Sequence, residues 1–179
     1  VKNLIEAGPV YSLDVRGLGE SMPDDERDFF HSYGVDYMHN GYGSMLDQSF
    51  LGRRVHDVLK TIDLLHAEGA RKVHVAGRGQ GAILALFAGV LHRRSGRIHL
   101  KNGPLSYQAW TQTPIVKWPF SNVPSGVLKS FDLPDCIRAL GKRVTLEKPW
   151  RPDLKPYRSN ALRRVLQTAG LSESLLIEG

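Results

Sequence analysis

The stretch KVHVAGRGQGAILALFAGV, Lys72 to Val90, sets a short apolar strand pattern directly ahead of Gly77-Arg78-Gly79-Gln80-Gly81 and a helix pattern directly after it. A strand, a tight glycine turn and a helix in this order can present a nucleophile on a strained backbone, or hold a phosphate against helix N-terminal amides. Gly77-x-Gly79-x-Gly81 has the frame of a G-x-S-x-G nucleophile elbow, whose middle residue attacks the substrate carbonyl. Here the middle residue is Gly79, which has no side-chain atom to attack with. Gly77 and Gly81 keep the tight backbone path while the nucleophile is gone. Read instead as Gly77-x-Gly79-x-x-Ala82, the turn satisfies a permissive dinucleotide pattern, which makes a nucleotide-binding module a further alternative. That pattern needs a ribose-binding carboxylate about 20 residues on. Leu100 is followed there by Lys101 and Asn102, and Arg93 and Arg94 precede the strand.

A general base is equally hard to place. His31, His39, His56, His66, His74, His92 and His99 are the seven histidines, so none follows His99, where a base after a last strand would have to come. Ser21 and Ser44, with His31 and His39 in the long segment between them, form the alternative serine and histidine pairing of an active carboxylic-ester hydrolase or serine peptidase-like enzyme. Against this pairing, Ser21 closes a turn motif and Ser44 stands where a helix N-cap is expected. His31, Asp36, His39 and Asp47 match no zinc or EF-hand spacing and read as exposed loop polar groups. Cys136 is the only cysteine, which excludes an internal disulfide and a Cys-rich zinc site, and it reads as a small buried hydrophobe. None of these sets calls for a cofactor or a metal.

The elements that must position these groups follow from periodicity. Val10 to Val15 reads as a strand ending in the polar turn Asp14-Val15-Arg16-Gly17-Leu18-Gly19-Glu20-Ser21, and Met22 to Gly43 as a long irregular segment. Between Ser44 and Glu68, Leu46, Phe50, Leu51, Val55, Val58, Leu59, Ile62 and Leu65 recur at three and four, which predicts one helix that Gly69 ends. Strands are predicted over Lys72 to Ala76, Arg97 to Leu100 and Arg143 to Glu147, and helices over Gly81 to Arg93, Pro134 to Leu140 and Tyr157 to Ala169. Pro104 to Pro124 reads as loop with one helical turn, and LSESLLIEG as a frayed strand or an irregular end. Alternating strands and helices predict an α/β fold, a mostly parallel sheet covered by helices on both faces.

The two motifs, D-x-R-G-x-G-x-S at Asp14 to Ser21 and the elbow frame at Gly77 to Gly81, are separated by one helix. With FDLPDCIRALGKRVTLEKPWRPD behind them, the sequence resembles the α/β-hydrolase superfamily, most closely its acetyl xylan esterase-like and dipeptidyl-peptidase-like branch. The resemblance runs from Val10 to about Lys155. It implies a single α/β-hydrolase-like domain over residues 1–179 that starts at the fourth strand of the fold. On that reading the N-terminal strands are missing, the chain is a C-terminal fragment of a longer protein, and an upstream segment or a partner chain covers the sheet edge. The resemblance implies a triad in the order nucleophile, acid, histidine. It puts Gly79 at the nucleophile, Asp153 at the acid slot and no residue at the histidine. It makes the turn of Asp14, Arg16, Gly17, Gly19 and Ser21 structural. The leading expectation is a catalytically degenerate relative of the acetyl xylan esterases, with an acylated carbohydrate in the former active-site cleft. Trp110, Trp118 and Trp150 suit sugar stacking or local core equally. The branch is often secreted, so the resemblance suggests a secreted or periplasmic protein.

Composition bounds the remaining classes. A chain of 179 residues with 41% hydrophobic content has enough apolar material for one packed core. No run reaches the roughly 18 apolar residues of a membrane span. The net charge of +6 comes from the residues after Arg78. There Arg93, Arg94, Arg97, Lys142, Arg143, Arg163 and Arg164 interleave with apolar positions and lack an RNA-binding aromatic signature, so solvated faces are expected rather than a nucleic-acid site.

Overall fold

The computed structural model describes residues 8–22 and 35–177. Its elements are α1 (Val35–Met45), α2 (Phe50–Ala67), β1 (Val73–Arg78), α3 (Gln80–Leu91), β2 (Ser95–Lys101), α4 (Gln108–Thr111), α5 (Leu133–Leu140), β3 (Val144–Glu147), α6 (Ser159–Thr168) and β4 (Leu176–Ile177). The four strands form one parallel sheet in the order β1-β2-β3-β4. Each strand after the first is reached through a helix, as parallel pairing requires. The chain is an α/β protein.

The core grows from one hydrophobic helix. Ala82 to Gly89 of α3 are buried on every side, which is how a helix reads when it lies between other layers. It packs on β1 and β2 and against α2 and α5. Gly89 allows close approach to the sheet, since a Cβ there would come within 2.7 Å of the Ile98 side chain. Ile98, Leu100, Val144 and Leu146 point from the strands into this core, while the alternate residues His74, Ala76, Arg78 and Arg97 are exposed on the opposite face. Helix α5 is set by Asp132, whose carboxylate accepts from Leu133 N, while Asp135 accepts from Asp132 N at 2.8 Å.

Four expectations are corrected. Val10 to Val15 is not a strand: the segment makes no ladder with any described residue, and Val10, Tyr11 and Leu13 are exposed while only Val15 is buried. A strand needs a neighbour to satisfy its amides, and periodicity cannot supply one. The single helix expected over Ser44 to Glu68 is two. The chain breaks after Met45, where Asp47 takes φ 54° and Leu46 is exposed. Ser49, not Ser44, is the N-cap of α2, its Oγ accepting from Gly52 N at 3.0 Å. The irregular reading of Met22 to Gly43 is likewise replaced over Val35 to Gly43, which belongs to α1. The ambiguous LSESLLIEG contributes Leu176 and Ile177 as the short edge strand beside β3.

Candidate functional site

The turn after β1 is built for close backbone contact. A Cβ on Gly77 would lie 2.7 Å from Ala82 N and nearer still to the Gly81 carbonyl oxygen, so only glycine lets the strand and the first turn of α3 meet. Gly79 takes φ 58° and ψ −120° as the N-cap of α3, a conformation that a side-chain-bearing residue holds only under strain. Its amide donates to Lys101 O at 2.9 Å, and its carbonyl accepts from Ala82 N at 3.1 Å. The amides of Gln80 and Gly81 find no acceptor among the described residues. Space is open at Gly79: apart from its chain neighbours Arg78 and Gln80, no described atom lies within 4 Å of a Cβ built there.

That open space bears on catalysis. An imidazole nitrogen hydrogen-bonded to a serine hydroxyl at position 79 would lie about 3.5 Å from that serine's Cβ, given ordinary hydrogen-bond lengths and angles. No described residue occupies such a position. Among the described histidines, His66 donates to the Ala70 carbonyl and also lies beside that of Arg94, His74 accepts from Arg97 N, His92 meets Asp63, and His99 lies between Thr145 and Glu147. His39 stacks on Phe50 at 5.7 Å, and His31 lies outside the described residues.

The elbow is held in place by a buried ionic network that the sequence analysis did not single out. Arg54 of α2 is fully buried. Its Nε donates to Arg16 O at 2.9 Å, and its Nη1 and Nη2 donate to the two oxygens of Asp36, each at 2.7 Å. Its guanidinium lies 4.4 Å from the centre of the Phe50 ring. Asp36 also accepts from Ser121 Oγ at 2.6 Å and from Gln80 Nε2 at 3.3 Å. One carboxylate therefore joins α1, α2, the turn at Phe120–Asn122 and the first residue of α3. Burial alone would push the Asp36 carboxyl up, but the hydrogen bonds from Arg54, Ser121 and Gln80 outweigh it and hold it below the usual carboxylate range. Asp36 is thus a paired, half-buried group and not the exposed loop residue expected. A charged pair at helical positions carries no periodic signature. The only available signal was an arginine, Arg54, on the apolar stripe between Leu51 and Val55.

The other singled-out residues disperse. Asp14 accepts from Glu20 N at 3.0 Å, and Ser21 Oγ lies 2.7 Å from Val15 O, so that hydroxyl is engaged within its own turn. Gly17 and Gly19 take φ 71° and 56° in this turn. Arg16 reaches across to Asp57 of α2 through its Nε at 2.8 Å and through Nη2, and its backbone N donates to the same carboxylate at 3.2 Å. The hydrogen bond from Arg16 is the main reason that the Asp57 carboxyl lies below its usual range. Ser44 Oγ donates to Asn40 O at 2.9 Å inside α1. Neither serine meets an imidazole among the described residues, nor do the described residues gather a set able to hold a metal ion.

Asp153 pairs with Arg151 at 3.2 Å, and its Oδ1 is buried without a hydrogen-bond partner. The carboxylate at the end of β3 is Glu147, which accepts from His99 Nε2 at 2.9 Å and from Lys101 Nζ on the sheet face. Asn102, where a ribose-binding acid would stand, is occupied by Arg78 Nε at 3.1 Å and by the Lys148 carbonyl at 2.9 Å. Trp110 and Trp118 are buried and stack on each other at 5.8 Å, and Trp150 tilts against Trp118 at 6.4 Å. These indoles pack the loops that follow β2 and β3.

Compared with family models, with curated proteins and with solved structures, the chain matches none. No described helix is long and apolar enough to cross a membrane.

Proposed function

We propose that this chain is a catalytically degenerate relative of the acetyl xylan esterase-like hydrolases, a binding module that keeps the nucleophile elbow and has lost the nucleophile. The observation that carries this reading is Gly79. It holds the strained backbone that presents a nucleophile, with open space above it and no general base within reach among the described residues. The amides of Gln80 and Gly81, which follow Gly79 directly, find no acceptor among the described residues. They suit an acyl carbonyl as neutral donors that bind it without attacking it. The ligand class in this reading is an acylated carbohydrate, with the ester group at the elbow.

The test joins turnover to binding. The chain and its Gly79→Ser variant are each assayed with a chromogenic aryl acetate beside a heat-denatured control. Neither is expected to exceed the control, because a serine at 79 would still lack a base. A saturable rate from the unmodified chain refutes the degenerate reading. In parallel, an acetylated xylo-oligosaccharide is expected to raise the melting temperature while its deacetylated form does not, since a ligand of the folded state stabilises by mass action. Equal response to both removes the acyl group from the proposal.

A further inference from the structure

The exposed face of the sheet has a chemistry of its own. Along it run His74, Ala76 and Arg78 of β1 and Arg97 of β2, all exposed, then the half-buried His99, Lys101 and Thr145, and at the end of β3 the buried Glu147. The single carboxylate, Glu147, is saturated by His99 and Lys101. The guanidinium of Arg97 makes no ion pair or hydrogen bond with a described residue, and Arg78 makes only one hydrogen bond to the neutral Asn102 amide. The register sets these cations in two rows. Arg97 lies beside His74, whose Nδ1 accepts from Arg97 N, while Arg78 pairs with Lys101. Four residues of strand separate the rows, roughly 13 Å at the usual rise. Between them lie Ala76, which is small and exposed, then His99, tied to Thr145 and Glu147, and Thr145 itself.

Parallel sheets are found with both faces covered, and helices supply the cover. We propose that this face docks an acidic amphipathic helix of a partner chain, laid along the strands. Charge complementarity fixes that helix's character. Carboxylates seven or eight residues apart on one helix face are about 11–12 Å apart, which fits the two cation rows, and an apolar ridge between them fits over Ala76. A like-charged or purely apolar helix would leave Arg78 and Arg97 desolvated without partners, which is costly. This inference does not depend on whether a ligand binds at the elbow.

The experiment uses a labelled 18-residue helical peptide with an apolar stripe flanked by Glu at those spacings, and a twin carrying Lys in place of Glu. Binding to the chain is followed by fluorescence anisotropy. The Glu peptide is expected to bind at least tenfold tighter than the Lys twin. Arg97→Glu alone, whose side chain holds nothing in the fold, is expected to reduce that preference, and Arg97→Glu with Arg78→Glu to reverse it. A Lys129→Glu/Arg164→Glu variant carries the same change in net charge at exposed positions outside this face and is expected to keep the preference. Circular dichroism and melting curves confirm that each variant is folded. Equal binding of the two peptides, or equal loss in the control variant, overturns the proposal. So does a chain that is already dimeric and becomes monomeric with Arg97→Glu, because the occupant would then be a second copy. Tighter, Arg97-dependent binding of a single-stranded oligonucleotide overturns it in favour of nucleic acid.

Discussion

The three glycines of the elbow are chemically identical, yet the structure assigns their alanine variants three different outcomes. Gly81 sits in the first turn of α3 with nothing within 4 Å of an added Cβ. Gly81→Ala removes backbone freedom from the unfolded chain and should stabilise by about 0.5 kcal/mol. Gly79 also has open space, but its φ of 58° is a conformation that side chains pay for. Gly79→Ala should destabilise by about 2 kcal/mol, which lowers the melting temperature of a chain this size by about 4–8 °C. At Gly77 the obstacle is steric. The new methyl would collide with the Gly81 carbonyl and with Ala82 N, and both are backbone atoms of the helix on which the core is built. Gly77→Ala must push α3 off the sheet, on the order of 4 kcal/mol or more, a large part of what a domain has. Thermal and denaturant melts of the three variants and the unmodified chain measure the order directly. If Gly79→Ala melts with or above Gly81→Ala, position 79 is not on a strained elbow, and the reading of this turn as a nucleophile-presenting frame fails. A near-normal Gly77→Ala would show that the strand and helix do not meet as described.

Two further outcomes test the surroundings of that turn. Arg54→Met should cost about 3–5 kcal/mol by leaving Asp36 half-buried without its main partner, and adding Asp36→Asn should recover at least 1 kcal/mol of that loss in a double-mutant cycle; additive losses would mean that the pair does not couple. Because the folded Asp36 carboxyl lies below its unfolded value of about 3.9, its contribution is complete above about pH 4 and fades as pH falls further toward the folded value, so Asp36→Asn should flatten the acid side of the stability profile. Cys136 is buried and its thiol is pushed up to about 11, chiefly by burial. A thiol-reactive disulfide reagent at pH 8 should therefore modify it only on unfolding, and rapid labelling of the folded chain would contradict its place in the core.

Much of the scaffold could be read from local pattern. The apolar run of α3 between two glycine-punctuated strands, the stripe of Leu51, Val55, Val58 and Ile62, and the acid-proline start of α5 each encode their element within a few residues. The absence of a side chain at Gly79 was likewise legible, because it is a property of the sequence itself. The network that steadies the elbow was not. Asp36, Arg54, Gln80 and Ser121 come from four separate segments and meet only through packing, and hydrogen bonding across such distances leaves no spacing to detect. The segment from Val10 to Val15 shows the converse: its strand pattern is strong, but a strand is a relation between two chains of amides, and pattern alone cannot provide the second. By itself, then, the sequence determined the central helix α3, the strands β1 to β3, most of α2, α5 and α6, and the absence of a side chain in the turn. Only the tertiary structure decided which charges are buried together, and that Arg78 and Arg97 stand exposed on one face of the sheet.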